Sequence, residues 1–150
     1  MKNNTSIRTG VVGLALVFQS VVCSAGCMVS VQDIRFGSYD PADPVPISTT
    51  AEYTVDCREA IMLSIEIGPG RANAGIGDRR MQHELQRDSL SYNIFRDASM
   101  TQVWGDGAGN SSQLGQIQGH TSGFIYGQIP AGQDVRVGQY SDSLRITILP

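Results

Sequence analysis

Three cysteines and two histidines are the residues of this chain best suited to covalent, acid–base or metal chemistry. His83 and His120 lie far apart, and neither belongs to a nucleophile-activating motif: there is no Gly-x-Ser-x-Gly turn and no His-Glu-x-x-His segment. Two thiols and two distant imidazoles fall short of a four-ligand zinc site. The run Gly105-Asp106-Gly107-Ala108-Gly109-Asn110 resembles a phosphate or calcium loop only superficially. It lacks both the Lys-Ser/Thr of a P-loop and the acidic ladder of an EF-hand, so it reads as a turn. These absences argue against an enzyme, and no cofactor or metal is expected. Binding chemistry has more candidates. Arg71, Arg79 and Arg80 could hold an anionic sugar or headgroup, or form a solvated, charged strand edge. Trp104 could stack on a sugar ring, or fill the core.

The cysteines carry the clearest signal. Lys2 and Arg8 precede an apolar run, residues 11–22, that is too short to span a bilayer and closes in Cys23-Ser24-Ala25. Residues 1–25 therefore read as a secretory signal cleaved after Ala25, and residues 26–150 as one domain of about 125 residues. Cys23 leaves with the signal. Cys27 and Cys57 remain, an even number in an oxidising compartment, and their pairing would close a loop of about 30 residues. Such a link stabilises by about 3–4 kcal/mol in the chain-entropy account. The rival reading is a lipobox, Ser24-Ala25-Gly26-Cys27, which would acylate Cys27 and leave Cys57 free. A formal charge of -3, mixed in sign along the chain, gives no nucleic-acid footprint.

The elements that must position these residues are strands. Apolar and polar residues alternate with a period of two, and no sustained stripe at helical spacing occurs. Residues 49–57 place Ala51, Tyr53, Val55 and Cys57 on one face; residues 61–67 do the same for Ile61, Leu63, Ile65 and Ile67. Residues 28–36 change phase between Val31 and Ile34, which predicts a bulge or a bend between sheets. Further strands are predicted over 90–96, 100–104, 123–128 and 140–149, the last with Tyr140, Leu144, Ile146 and Ile148 on one face. Tyr126 and Tyr140 read as core or sheet-edge packing. Turn-rich stretches at 40–46, 68–78, 105–112 and 130–133 separate the strands. Six or seven short strands so punctuated predict an all-β, immunoglobulin-like β-sandwich.

An ordered set of segments sharpens this. Cys27-Met28-Val29-Ser30-Val31, Phe36-Gly37-Ser38-Tyr39-Asp40-Pro41, Val55-Asp56-Cys57, Asp78-Arg79-Arg80-Met81 and Leu90-Ser91-Tyr92-Asn93-Ile94-Phe95-Arg96-Asp97 are followed by Val103-Trp104-Gly105-Asp106-Gly107. Tyr126-Gly127-Gln128-Ile129-Pro130-Ala131-Gly132-Gln133 and Gly138-Gln139-Tyr140-Ser141-Asp142-Ser143-Leu144 complete the set. Together they resemble the spore coat protein U domain, the family that also contains the pilins of archaic chaperone-usher pili.

That resemblance implies a sandwich lacking its final strand. A periplasmic chaperone lends a strand during export, an outer-membrane usher receives the subunit, and a neighbouring pilus subunit supplies the strand in the fibre. Tyr140, Leu144, Ile146, Ile148 and Pro150 are then expected to line the donor groove, with the Pro150 carboxylate held by a basic residue of the chaperone. The sequence agrees, since an apolar alternating strand runs up to Pro150 with no covering edge strand after it. Filling four or five pockets would contribute on the order of 6–15 kcal/mol, comparable with a domain's whole stability. Pilins that polymerise carry an extension before their first cysteine, whereas cleavage after Ala25 would leave only Gly26. This predicts a distal tip subunit or a secreted coat protein that never polymerises. Exposed loops binding a receptor or surface are the alternative role.

Overall fold

Alternation of buried and exposed residues carries through the long strands, as in residues 47–57, where Ala51, Tyr53, Val55 and Cys57 face inward. The computed structural model describes residues 10–12, 27–58, 63–72, 74–112, 114–117 and 119–149, with the backbone alone at 10–12, 63, 114–117 and 148–149. The described residues form strands and no helix: β1 Gly10–Val12, β2 Cys27–Val31, β3 Gly37–Tyr39, β4 Ile47–Cys57, β5 Leu63–Ile67, β6 Arg79–His83 and β7 Ser89–Phe95. They continue with β8 Val103–Trp104, β9 Ser111–Ser112, β10 Leu114–Ile117, β11 His120–Ile129, β12 Tyr140–Ser141 and β13 Ile146–Leu149.

One sheet runs β12-β6-β7-β11-β4-β2, with β8 and β9 attached beside β7. Its spine is the antiparallel β4–β11 pair, in continuous register from Ile47↔Ile129 to Asp56↔His120. The second sheet runs β10-β5-β13, and β1 pairs separately with β3. The architecture is the all-β, immunoglobulin-like sandwich expected. Leu90, Tyr92, Ile94, Ile125 and Val55 of the larger sheet share one buried cluster with Ile65 and Ile67 of β5. Burying an aliphatic side chain of this size contributes about 1.5–3 kcal/mol.

The phase change after Val31 is where the chain leaves the larger sheet. β2 ends there, residues 32–36 carry no strand pairing, and Ile34 and Phe36 turn into the core at 0% and 6% exposure. The predicted continuous strand over 140–149 is corrected. Tyr140 and Ser141 pair with β6, residues 142–145 cross between sheets, and β13 pairs with β5. Ile61 and Pro150 lie outside the described residues, as does most of the segment read as a signal.

Candidate functional site

Among the described strands, β13 pairs with β5 alone. Ile146 stands opposite Ile67, Thr147 opposite Glu66, Ile148 opposite Ile65 and Leu149 opposite Ser64, while no described strand pairs with the other side of β13. An edge of this kind leaves a row of N–H and C=O groups for an incoming chain. Its phase matches the sequence: Leu144 is buried and Ile146 half-buried against the core, while Arg145 and Thr147 are exposed. Ile148 follows in the same backbone register, and Pro150 lies beyond the described residues.

Tyr140 is not part of this edge, which corrects the groove assignment. It is fully buried on β12. Its hydroxyl lies 2.7 Å from Arg136 O and 2.9 Å from Asp88 Oδ2, and its ring packs edge-on against His83. The alternation placed Tyr140 and Ile146 in one phase, and the crossover then sent them to different sheets.

The crossover is built from groups that the sequence reading passed over. Asp142 is 1% exposed. Its carboxylate accepts the Tyr92 O–H at 2.7 Å, the Arg71 N–H at 2.7 Å and the Ser143 N–H at 2.8 Å. Burial, then the charge and hydrogen bond of Asp142, push the Tyr92 hydroxyl far above its ordinary pKa, so it stays a donor. Gly70 makes room: its φ is +87°, and a Cβ there would fall 2.1 Å from Asp142 Oδ2. Beside this group, Gly68 N–H donates to Arg145 O at 2.9 Å, joining the exit of β5 to the entry of β13.

Arg79 is corrected from a surface ligand contact to a buried structural cation. It is 0% exposed, and its guanidinium donates to Gly68 O at 2.9 Å, Ile67 O at 2.8 Å, Trp104 O at 2.7 Å and Asn93 Oδ1 at 2.7 Å. Burial draws its pKa down to about 10, opposed by Tyr92, Asp142 and Asp106, so it remains charged at neutral pH. Trp104, at 2% exposure, is likewise closed to a ligand: its indole N–H donates to Ile65 O at 3.1 Å and its ring meets Tyr53 edge-on at 5.3 Å. Arg80 faces solvent, paired with Asp78 at 2.7 Å, and Arg71 is exposed as well.

Cys27 and Cys57 are directly opposite in the β2–β4 register, 4.1 Å apart at Cα, and form a disulfide. A paired Cys27 has no thiol to acylate. The link ties the outermost strand of the larger sheet to its spine. The loop after Trp104 is a turn, as read: Asp106 Oδ1 accepts the Ala108 N–H and the Ser111 hydroxyl. With Pro69, Ile76 and Val103 it lines an open, mainly apolar cleft of about 550 Å³. Among the described residues no cluster of three or more His, Cys, Asp or Glu side chains could hold a metal.

Comparison with known proteins places this geometry. The chain matches the Spore Coat Protein U domain over residues 14–147. It is 29% identical over 136 residues to Protein U of Myxococcus xanthus, covering 84% of this chain and 76% of that protein. A chain in the CsuC-CsuE chaperone–tip adhesion subunit pre-assembly complex, from the archaic chaperone-usher Csu pili of Acinetobacter baumannii, shares the fold at a TM-score of 0.58 and 16% identity. The likeness covers 81% of this chain and 38% of that one, so this chain spans little more than a third of its length. The match over residues 14–147, most of the sequence, makes this chain a member of the Spore Coat Protein U domain family.

Proposed function

We propose that this chain is a structural subunit of a bacterial surface pilus or coat, exported through the periplasm and completed by a strand from another protein. The observation that carries this reading is β13, the edge of a three-stranded sheet, with Leu144 and Ile146 turned to the core and no described strand on its outer side. A partner strand would pair its backbone along this edge and lay alternate side chains over the core. A periplasmic chaperone, an outer-membrane usher and neighbouring subunits are the partners in that scheme. Cleavage after Ala25 would also remove β1 and leave β3 without its present partner, a second place for an incoming strand. It would leave Gly26 alone ahead of the disulfide, which suits a terminal position in a fibre. The role is mechanical and non-catalytic.

A second reading, adhesion through exposed loops, has its own support. Leu85 is 88% exposed and Val137 54% exposed. Both flank His83, through Leu85 N–H to Nδ1 at 3.0 Å and Val137 O against Nε2 at 3.3 Å. Firmly held apolar tips of this kind suit a surface contact.

The test is expression of residues 1–150 in a periplasm with and without the cognate chaperone. The account expects the chain to be degraded alone and recovered as a one-to-one complex. Equal recovery of a soluble monomer in both strains would sink it.

A further inference from the structure

A four-residue strand with one described neighbour is weakly held, yet its phase decides which side chains meet an incoming strand. A slip of one residue would turn Leu144 and Ile146 outward and bring Arg145 and Thr147 over the core. The β5 ladder is four residues long with one more bond, from Gly68 N–H to Arg145 O, at its start, and so short a ladder leaves room for a second constraint on that phase. The crossover supplies it two residues before Leu144.

Asp142 is bonded to both sides of the sandwich at once. Through the Tyr92 hydroxyl it is tied to the inward face of β7 in the larger sheet, and through Arg71 N–H to the turn that follows β5 in the smaller one. The Ser143 N–H bond sets the direction in which the chain leaves. Arg79 repeats the arrangement with opposite charge, joining the end of β5 at Ile67 and Gly68 to Asn93 of β7 and Trp104 of β8. Two buried charges of opposite sign thus clamp one end of the sandwich where β13 begins. Satisfied networks of this sort fix a single arrangement, because any other leaves buried polar groups unpaired.

We propose that Asp142 and Tyr92 are positioning residues of the strand-accepting edge: their hydrogen bond sets the register of β13 on β5, so that the edge is in phase before a partner strand arrives. This role rests on β13 being the acceptor edge, but the register itself does not. Gly70 belongs to the same device, since only a residue without Cβ leaves space for the carboxylate at that φ.

The experiment is hydrogen exchange by mass spectrometry on the chaperone-bound chain and on the chain alone, for Tyr92→Phe, Asp142→Asn, Gly70→Ala and the exposed control Arg80→Ala. Exchange over residues 143–149 should rise at least tenfold in the first three, with β4 and β11 within twofold of the parent, and chaperone release should quicken by a similar factor. The control should match the parent. A uniform rise across all strands would reduce the lock to a general stabiliser and overturn the proposal, and so would unchanged exchange at 143–149. If the parent chain binds no chaperone while the variants still loosen 143–149, the register lock stands and the acceptor reading falls.

Discussion

Arg79 begins β6 with its whole guanidinium out of water, held by three backbone carbonyls and the Asn93 side chain. Desolvating a cation costs several kcal/mol, so the residue is tolerated only because its planar fork meets acceptors on several sides. Lysine cannot reproduce that fork, and Arg79→Lys would strand the carbonyls of Ile67, Gly68 and Trp104. Urea unfolding of the chaperone-complemented protein should show a loss of about 2–4 kcal/mol for Arg79→Lys, against less than about 0.5 for Arg80→Lys. Equal small losses would show that the carbonyls find other partners. The residue type had pointed the other way, since arginine is rarely fully buried. No strand was expected over residues 79–83, and the signal that could have placed Arg79 is phase: Arg79, Met81 and His83 alternate inward along β6, and Met81 marks which parity is the core. Trp104 follows the commoner rule for a lone tryptophan in a sandwich. Asp142 and Tyr92 were invisible as a pair because they lie far apart in sequence and meet only through the fold.

At the scale of the element, the C-terminal segment shows what alternation reports and what it omits. The period of two placed Leu144 and Ile146 inward and Arg145 outward, as found. It could not show that the chain changes sheets between Ser141 and Ile146, because the crossover happens to preserve parity. Where parity broke, after Val31, the bend was legible. The β13 edge makes a direct prediction. Ile146→Asp puts a carboxylate where a partner's side chain must pack, whereas Arg145→Asp changes a side chain on the opposite face. Co-purification with the chaperone should fall at least fivefold for Ile146→Asp and stay within twofold for Arg145→Asp. Equal yields would place the partner strand elsewhere on the molecule.

For the whole molecule, the described strands divide unequally, eight in the larger sheet and three in the smaller. The larger presents Leu90, Tyr92, Ile94, Ile125 and Val55 to the core, and the three-stranded sheet answers with Ile65 and Ile67 in its middle strand and Ile146 at its edge. The disulfide ties β2 to β4 in the larger sheet and makes no link to β13. An added strand would extend the smaller sheet and cover what Ile146 still exposes, and each aliphatic side chain that the strand itself buried against the core would gain about 1.5–3 kcal/mol. Stabilisation by a partner that binds only the folded state grows with its concentration over its dissociation constant. The most direct measurement is thermal unfolding of oxidised residues 26–150, alone and with a synthetic strand peptide of alternating apolar residues taken from the chaperone. The account predicts a broad, low-temperature transition for the lone chain and a sharp one at least about 10 °C higher with the peptide. A lone monomer that melts sharply at an ordinary mesophilic temperature, unchanged by the peptide, would contradict it.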